Sequence, residues 1–265
     1  MQAEALLRAG HVDEALKELQ AAVRASSADG RLRLFLAQLL MVQGAWQRAL
    51  GQLQVAAQLL PESVPMAHAY RLLIVAEMTR SAVFAGDSTP AVLGEPEAWL
   101  ARLIDAVGAL GRGQRGASIM QTVASALEEA QTVPGTIDGK PFEWLGDVDM
   151  RLGPVFEIVM NGRYFWVPGQ HIRRLTLEAP TDLRDLVWLP ASVEWVNGGT
   201  AEVFIPVRYP KSEQAADAFR LARNTEFDEP IGGLWTATGQ RMFATNHGEY
   251  PILETRSIEF EQEPV

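Results

Sequence analysis

Histidine is the side chain best suited to proton transfer near neutral pH and to metal ligation, and this chain holds four: His11, His68, His171 and His247. They lie far apart and none belongs to an HxxxH pair, so no metal site is expected. Cysteine is absent, which excludes thiolate catalysis, disulfides and sulfur-ligated metals. There is no GxSxG elbow, no GxxxxGKS/T phosphate loop and no strand-linked GxGxxG. The carboxylates Asp147, Asp149, Asp182, Asp185, Asp228 and Glu229 are dense enough to conceal a general acid and base. Their spacing selects no reaction, however, and they read as solvated faces and turns. Arg208, Arg223 and Arg241 stand among turn residues and aromatics. Each could anchor a buried ion pair with Asp217, Glu226 or Glu254, an architectural role. An anion site would instead need two guanidinium groups converging on solvent without carboxylate neighbours. No catalytic residue and no cofactor is assigned.

The elements that would carry these side chains fall into two halves. In the first, residues recur at a spacing of 34: Gly10 and Gly44, Ala15 and Ala49, Leu16 and Leu50, Leu19 and Leu53, Ala22 and Ala56. That is the length of one tetratricopeptide helix-turn-helix unit, in which glycine opens the turn and alanine lets helices approach. Helical periodicity runs over 3–25, 31–43 and 46–60, then 66–85, where the repeat register is lost. Residues 86–96 form a loop, and 97–110 and 117–131 resume helical spacing about a glycine-rich hinge at 111–116. In this register the concave-face positions fall on Arg31, Leu34, Phe35, Gln38, Met41 and Val42, with His68, Leu72 and Val75 in the degenerate third unit. These are the candidate partner-binding residues, unless later helices fold back and fill the groove.

After Val133 the pattern changes to alternating β-branched and aromatic residues broken by turns. Residues 156–160 and 164–167 flank Asn161-Gly162, and 191–196 and 201–207 flank Asn197-Gly198-Gly199, two hairpin signatures. A third hairpin is read at 235–237 and 241–244 around Gly239, and a last strand at 252–260. A short helix over 212–223, capped by Ser212, interrupts them. Five of the seven tryptophans (Trp144, Trp166, Trp188, Trp195, Trp235) sit in strand-like stretches, where a core or cross-strand role is expected. The fold class is α+β: a tetratricopeptide-like helical solenoid, 1–133, then a mainly antiparallel β domain with an inserted short helix, 134–265. Pro134-Gly135 is too short for a free tether, so the two should dock.

The formal net charge is −10, and residues 134–265 supply −8 of it. Such a surface repels a phosphate backbone, so nucleic acid is not an expected partner. No apolar stretch is long enough to span a bilayer and Met1 opens directly into helix, so a cytoplasmic protein without membrane insertion is expected.

Arg208-Tyr209-Pro210 with Ser212-Glu213, Asp217 with Leu221-Ala222-Arg223, Thr225-Glu226, Gly239-Gln240-Arg241-Met242 and the closing run from Pro251 to Phe260 resemble the ImpE family, also called SciE or TagJ. Leu6-Leu7-Arg8-Ala9-Gly10 followed by Glu14-Ala15-Leu16 is similar to the start of the same family, so the resemblance spans the chain. It implies a non-enzymatic accessory protein of bacterial type VI secretion. The implied partner is the N-terminal helical segment of the small contractile-sheath subunit (TssB type), with a link in some systems to the ClpV-type AAA+ ATPase. The competing reading is a small-ligand sensor or uncharacterised enzyme with a pocket in the β-rich domain.

Overall fold

The computed structural model describes residues 1–261. Seven helices come first: α1 (Gln2–Ala9), α2 (Val12–Ala25), α3 (Gly30–Val42), α4 (Trp46–Leu59), α5 (Val64–Ala85), α6 (Ala98–Gly111) and α7 (Ala117–Glu129). The periodicity over 3–25 is divided at Gly10, whose φ of 89° is left-handed. There Gly10 N–H donates to Leu7 O and His11 N–H to Leu6 O, and the same pair of bonds recurs 34 residues on, from Gly44 to Met41 O and from Ala45 to Leu40 O. Both glycines supply the φ that ends one helix and reverses the chain into the next. Ala15, Ala49, Leu19, Leu53 and Ala56 are buried between the units. Gly111 is not a free hinge: a Cβ there would lie 2.4 Å from Phe84 O, so the end of α6 packs backbone to backbone on the end of α5.

The strands are β1 (Ala91–Val92), β2 (Gly135–Ile137), β3 (Lys140–Phe142), β4 (Leu145–Asp147), β5 (Val155–Met160), β6 (Arg163–Pro168), β7 (Ile172–Leu177), β8 (Trp188–Trp195), β9 (Thr200–Pro206), β10 (Thr225–Ile231), β11 (Leu234–Gly239), β12 (Met242–Thr245), β13 (Gly248–Pro251) and β14 (Ser257–Phe260). One nine-stranded sheet runs β1-β6-β5-β9-β8-β7-β14-β2-β3, beside a β10-β11 pair and a β13-β12-β4 sheet. The main sheet is antiparallel except for β1, which pairs with β6 in parallel. Because β1 lies in the loop between α5 and α6, the helical half contributes a strand to the sheet.

The first two hairpins, β5-β6 and β8-β9, form at their Asn-Gly turns. The third is re-paired. β11 joins β10 across Gly232-Gly233, and β12 joins β13 across Asn246-His247, so Gly239 ends a strand at a φ of 97° and does not turn a hairpin. The inserted helix is short, α8 (Asp217–Arg220), with Ala216 at its N-cap. Ser212 is buried and does other work: its Oγ donates to Tyr209 O and accepts from Gly239 N–H. The final strand is shorter than read, since 252–256 turn before β14.

One core runs through the helical half into the near face of the sheet, and a second lies on its far side. Trp166 and Trp188 are fully buried between sheet and helices, their ring centroids 5.9 Å from Phe84 and 5.7 Å from Trp46. Trp144 and Trp235 differ from the core expectation: they are exposed, since Trp144 falls just before the three-residue β4 and β11 pairs only with β10.

Candidate interaction site

The β domain is seated on the solenoid face that carries Gln38, Met41 and Val42. Met41 and Val42 are fully buried, and the amide of Gln38 donates to Tyr70 Oη and, at 3.1 Å, to Asp182 of the β domain. These three candidate residues are engaged inside the molecule, because the β domain occupies the face that the repeat register assigns to a partner. Leu34 and Phe35 are half-buried against the same core, and half-buried Leu72 is so close to Gly162 that a Cβ there would meet its Cδ2 at 2.9 Å. Arg31, His68 and Val75 are exposed.

A buried charged cluster joins the two halves. Arg80 on α5 donates from Nε to Glu157 Oε1 at 2.7 Å, from Nη1 to Glu77 Oε1 at 3.0 Å and from Nη2 to Arg208 O at 2.9 Å. Glu77 Oε2 accepts from Trp188 Nε1. Glu157, in the middle of β5, also accepts from Tyr164 Oη and from Arg241 Nη2. Arg241 completes its fork on Asp147 Oδ2 at 2.8 Å and on Pro206 O. Burial opposes ionisation of Glu157, but Arg80 and Arg241 override it and hold the carboxyl at about 2. Burial pushes Asp147 up to about 7 against the pull of Arg241. Each cation here has a carboxylate and carbonyl oxygens at its donors, which is how a buried ion network recovers its desolvation cost.

Arg208 and Arg223 act differently from Arg241, and none of the three pairs with Asp217, Glu226 or Glu254. Arg208 Nη1 donates to Val42 O, the last carbonyl of α3, and to Arg220 O. Burial lowers its guanidinium to about 10. Arg223 Nη2 donates to Leu7 O in the last turn of α1. Both therefore satisfy helix C-terminal carbonyls of the solenoid, where positive charge is favoured. Asp217 does the converse, accepting from Val12 N–H at the start of α2.

The carboxylates read as solvated are not uniformly so. Asp147, Asp149 and Asp185 are buried, because their oxygens accept backbone N–H groups and arginines nearby. Asp228 and Glu229 remain exposed on the β10-β11 arm. Sequence reasoning missed Glu77, Arg80 and Glu157. A lone glutamate inside Val-Phe-Glu-Ile-Val-Met and an acid and base three residues apart in the apolar α5 were the available signals.

The opposite side of α5 is open. Val64, His68, Arg71, Val75 and Met78 are all exposed at spacings of 4, 3, 4 and 3, one continuous helical stripe. Beside it, Gln47, Leu50, Gln54 and Ala57 of α4 repeat at 3, 4 and 3. Between the helices lies a groove of about 570 Å³ floored by Leu53 and Ala67. Of the ten exposed large apolar residues among those described, five (Leu59, Val64, Met66, Val75, Met78) fall between positions 59 and 78, which concentrates the exposed apolar surface at this corner. Among the described residues, no group of three His, Asp or Glu is placed to hold a metal, and no helix is long and apolar enough to cross a membrane.

Residues 6–72 match the tetratricopeptide repeat model and residues 139–259 match the ImpE protein model. The type VI secretion system accessory component TagJ of Pseudomonas aeruginosa is 45% identical over 264 residues, covering 98% of this chain and 92% of that protein. The chain belongs to the ImpE family. A crystal structure of a Vibrio parahaemolyticus protein superimposes with a TM-score of 0.91 at 27% identity, over 99% of this chain and 98% of that one. The ImpE match covers the β domain with Arg208, Arg223 and Arg241, and the repeat match covers α2 to α4 and ends within α5.

Proposed function

We propose that this ImpE-family chain is a type VI secretion accessory component that works without catalysis, as a cytoplasmic adaptor. Its partner is the N-terminal helical segment of the small sheath subunit (TssB type), which it presents to, or shields from, the ClpV-type ATPase. The observation that carries this reading is the exposed 4-3-4-3 stripe of α5 beside the α4 wall. Two parallel rows, in which Val64, Val75, Met78, Leu50 and Ala57 alternate with polar side chains, flank a groove that suits the knobs of an amphipathic helix. His68 and Arg71 at the rim favour a helix with acidic flanks.

Docking on α4 and α5 places His68 and Val75 in contact and leaves Gln38, Met41 and Val42 in the domain seam. The test is fluorescence anisotropy with a labelled peptide of the sheath subunit's N-terminal helix. Val75→Glu sets a charge on the stripe and should weaken binding tenfold or more, equivalent to about 1.4 kcal/mol. Unchanged affinity in a folded Val75→Glu protein, or no binding by the parent, defeats the reading.

A further inference from the structure

The wall that α4 gives to the α4/α5 groove is interrupted at Gly51, and nothing inside the molecule requires glycine there. A Cβ at Gly51 would meet no atom within 4 Å, whereas one at Gly30 would lie 2.9 Å from Leu60 Cβ and one at Gly111 2.4 Å from Phe84 O. Gly51 is exposed in the interior of α4, where glycine weakens a helix relative to alanine. The fold thus carries a helix-weakening residue that none of its own contacts explains.

Gly51 also lines a second groove, of about 390 Å³, formed by α4 with α2 and α3 and floored by the buried Val23, Leu36 and Leu40. It is therefore the saddle at which the two grooves meet. No Asp or Glu lines either groove, although the chain has a formal net charge of −10. Arginine lines both. Arg71 stands on the α5 side, and Arg24 and Arg48 stand beyond the saddle, all three exposed and with no ion pair recorded among the described residues.

We infer that Gly51 is the point of closest approach for an acidic amphipathic helix seated in the α4/α5 groove, which passes carboxylates over this saddle to Arg48 and Arg24 while its other edge faces Arg71. The inference rests on the docking proposed above and adds to it the contact point and a second acidic edge on the partner. Without a Cβ at position 51 the partner's backbone comes nearer to α4, the use of glycine wherever a chain must approach closely. Carboxylates on the partner gain three exposed cations that have no internal acid to give up, on a molecule whose remaining surface repels them.

The test compares variants of the full chain by calorimetry and by anisotropy with the labelled peptide of the sheath subunit's N-terminal helix. Gly51→Ala should raise the melting temperature, through alanine's greater helix propensity, yet weaken peptide binding about fivefold or more. Gly51→Leu, which has open space to fold into but builds up the saddle further, should weaken it more than about tenfold. Arg24→Glu combined with Arg48→Glu should weaken it about tenfold, and a peptide with Asn and Gln in place of its Asp and Glu should bind parent and double variant within about twofold of each other. A Gly51→Ala protein that melts higher and binds like the parent overturns the inference, as does parental affinity in Gly51→Leu or in the arginine variant, or a gap that persists with the neutral peptide. Should these variants bind normally while Val75→Glu does not, the α4/α5 docking stands and the saddle alone falls. If the parent binds no peptide, both fall.

Discussion

The two faces of α5 are built on opposite principles. Inward, Glu77 and Arg80 are buried in a charged network that reaches Glu157, Arg241 and Asp147. Outward, Val64, His68, Arg71, Val75 and Met78 meet solvent. A closed ion network thus lies inside, and exposed Val64, Val75 and Met78 lie outside beside His68 and Arg71, the reverse of a solitary amphipathic helix, which buries its apolar face. The difference teaches which contact is permanent. Directional ion pairs, worthless unless every donor and acceptor is in place, fix one orientation of the β domain on the solenoid. A mixed stripe of 4-3-4-3 spacing, apolar at Val64, Val75 and Met78, tolerates association and release, which suits a partner that comes and goes.

The inward face should break most visibly. Arg241→Ala leaves Glu157 and Asp147 buried with one cation fewer, at a typical cost of about 3–5 kcal/mol. At this chain length that lowers the melting temperature by roughly 10 °C, measured by calorimetry. Affinity for the sheath peptide, measured where the variant is folded, should stay within twofold. Equal losses in both would mean that the faces are coupled and that the contrast fails.

Proton linkage sharpens the same face. The folded state holds the Asp147 proton at about 7 against an ordinary value of 3.8. It binds that proton more tightly than the unfolded chain does, so this contribution to stability is full below about pH 4 and declines as pH rises toward 7. Glu157 runs the other way. Held at about 2 against 4.5, it contributes fully above pH 4.5 and loses that contribution as pH falls toward 2. Asp147→Asn should flatten the decline of the urea midpoint between pH 4 and 7 while leaving the acid limb intact. A parallel slope in parent and variant removes Asp147 from the account.

What the sequence disclosed follows this division. Repeats and hairpins were legible because they depend on neighbours: Gly10 and Gly44 close the same turn 34 residues apart, and Asn161-Gly162 closes β5 onto β6. Long-range pairing was not. Gly239 reads as a hairpin turn, yet β11 pairs back to β10, and Ala237 N–H of β11 is taken up by the distant Asp149. The seating of the β domain on Met41 and Val42 was equally hidden, since repeat register gives which residues share a face but not what covers it. Trp144 and Trp235 look like core strand residues because local pattern carries no record of where a short strand stops being covered.

A smaller effect tests where the seam ends. Arg223 spans from the β domain to Leu7 O in the last turn of α1. Arg223→Ala removes one charge-assisted bond to a helix-terminal carbonyl, about 1–2 kcal/mol, without stranding a buried carboxylate. Hydrogen exchange should accelerate in α1 and little elsewhere. Protection that falls equally in α5 would extend the permanent seam further than the ion network does.

The smallest expected effect belongs to the rim of the open face. Arg71 is exposed on the stripe, and no ion pair is recorded for it among the described residues. Arg71→Gln should therefore leave thermal stability unchanged within about 0.5 kcal/mol. Its role in the proposed docking is electrostatic, steering an acidic-flanked helix toward the groove, and rim charges act mainly on association rate. The sheath peptide should bind the variant a few-fold more weakly at low salt, through a slower on-rate, with the gap closing as ionic strength rises past the physiological range. An unchanged salt dependence would leave the groove with shape complementarity alone, and a lowered melting temperature would place Arg71 on the permanent side of the helix.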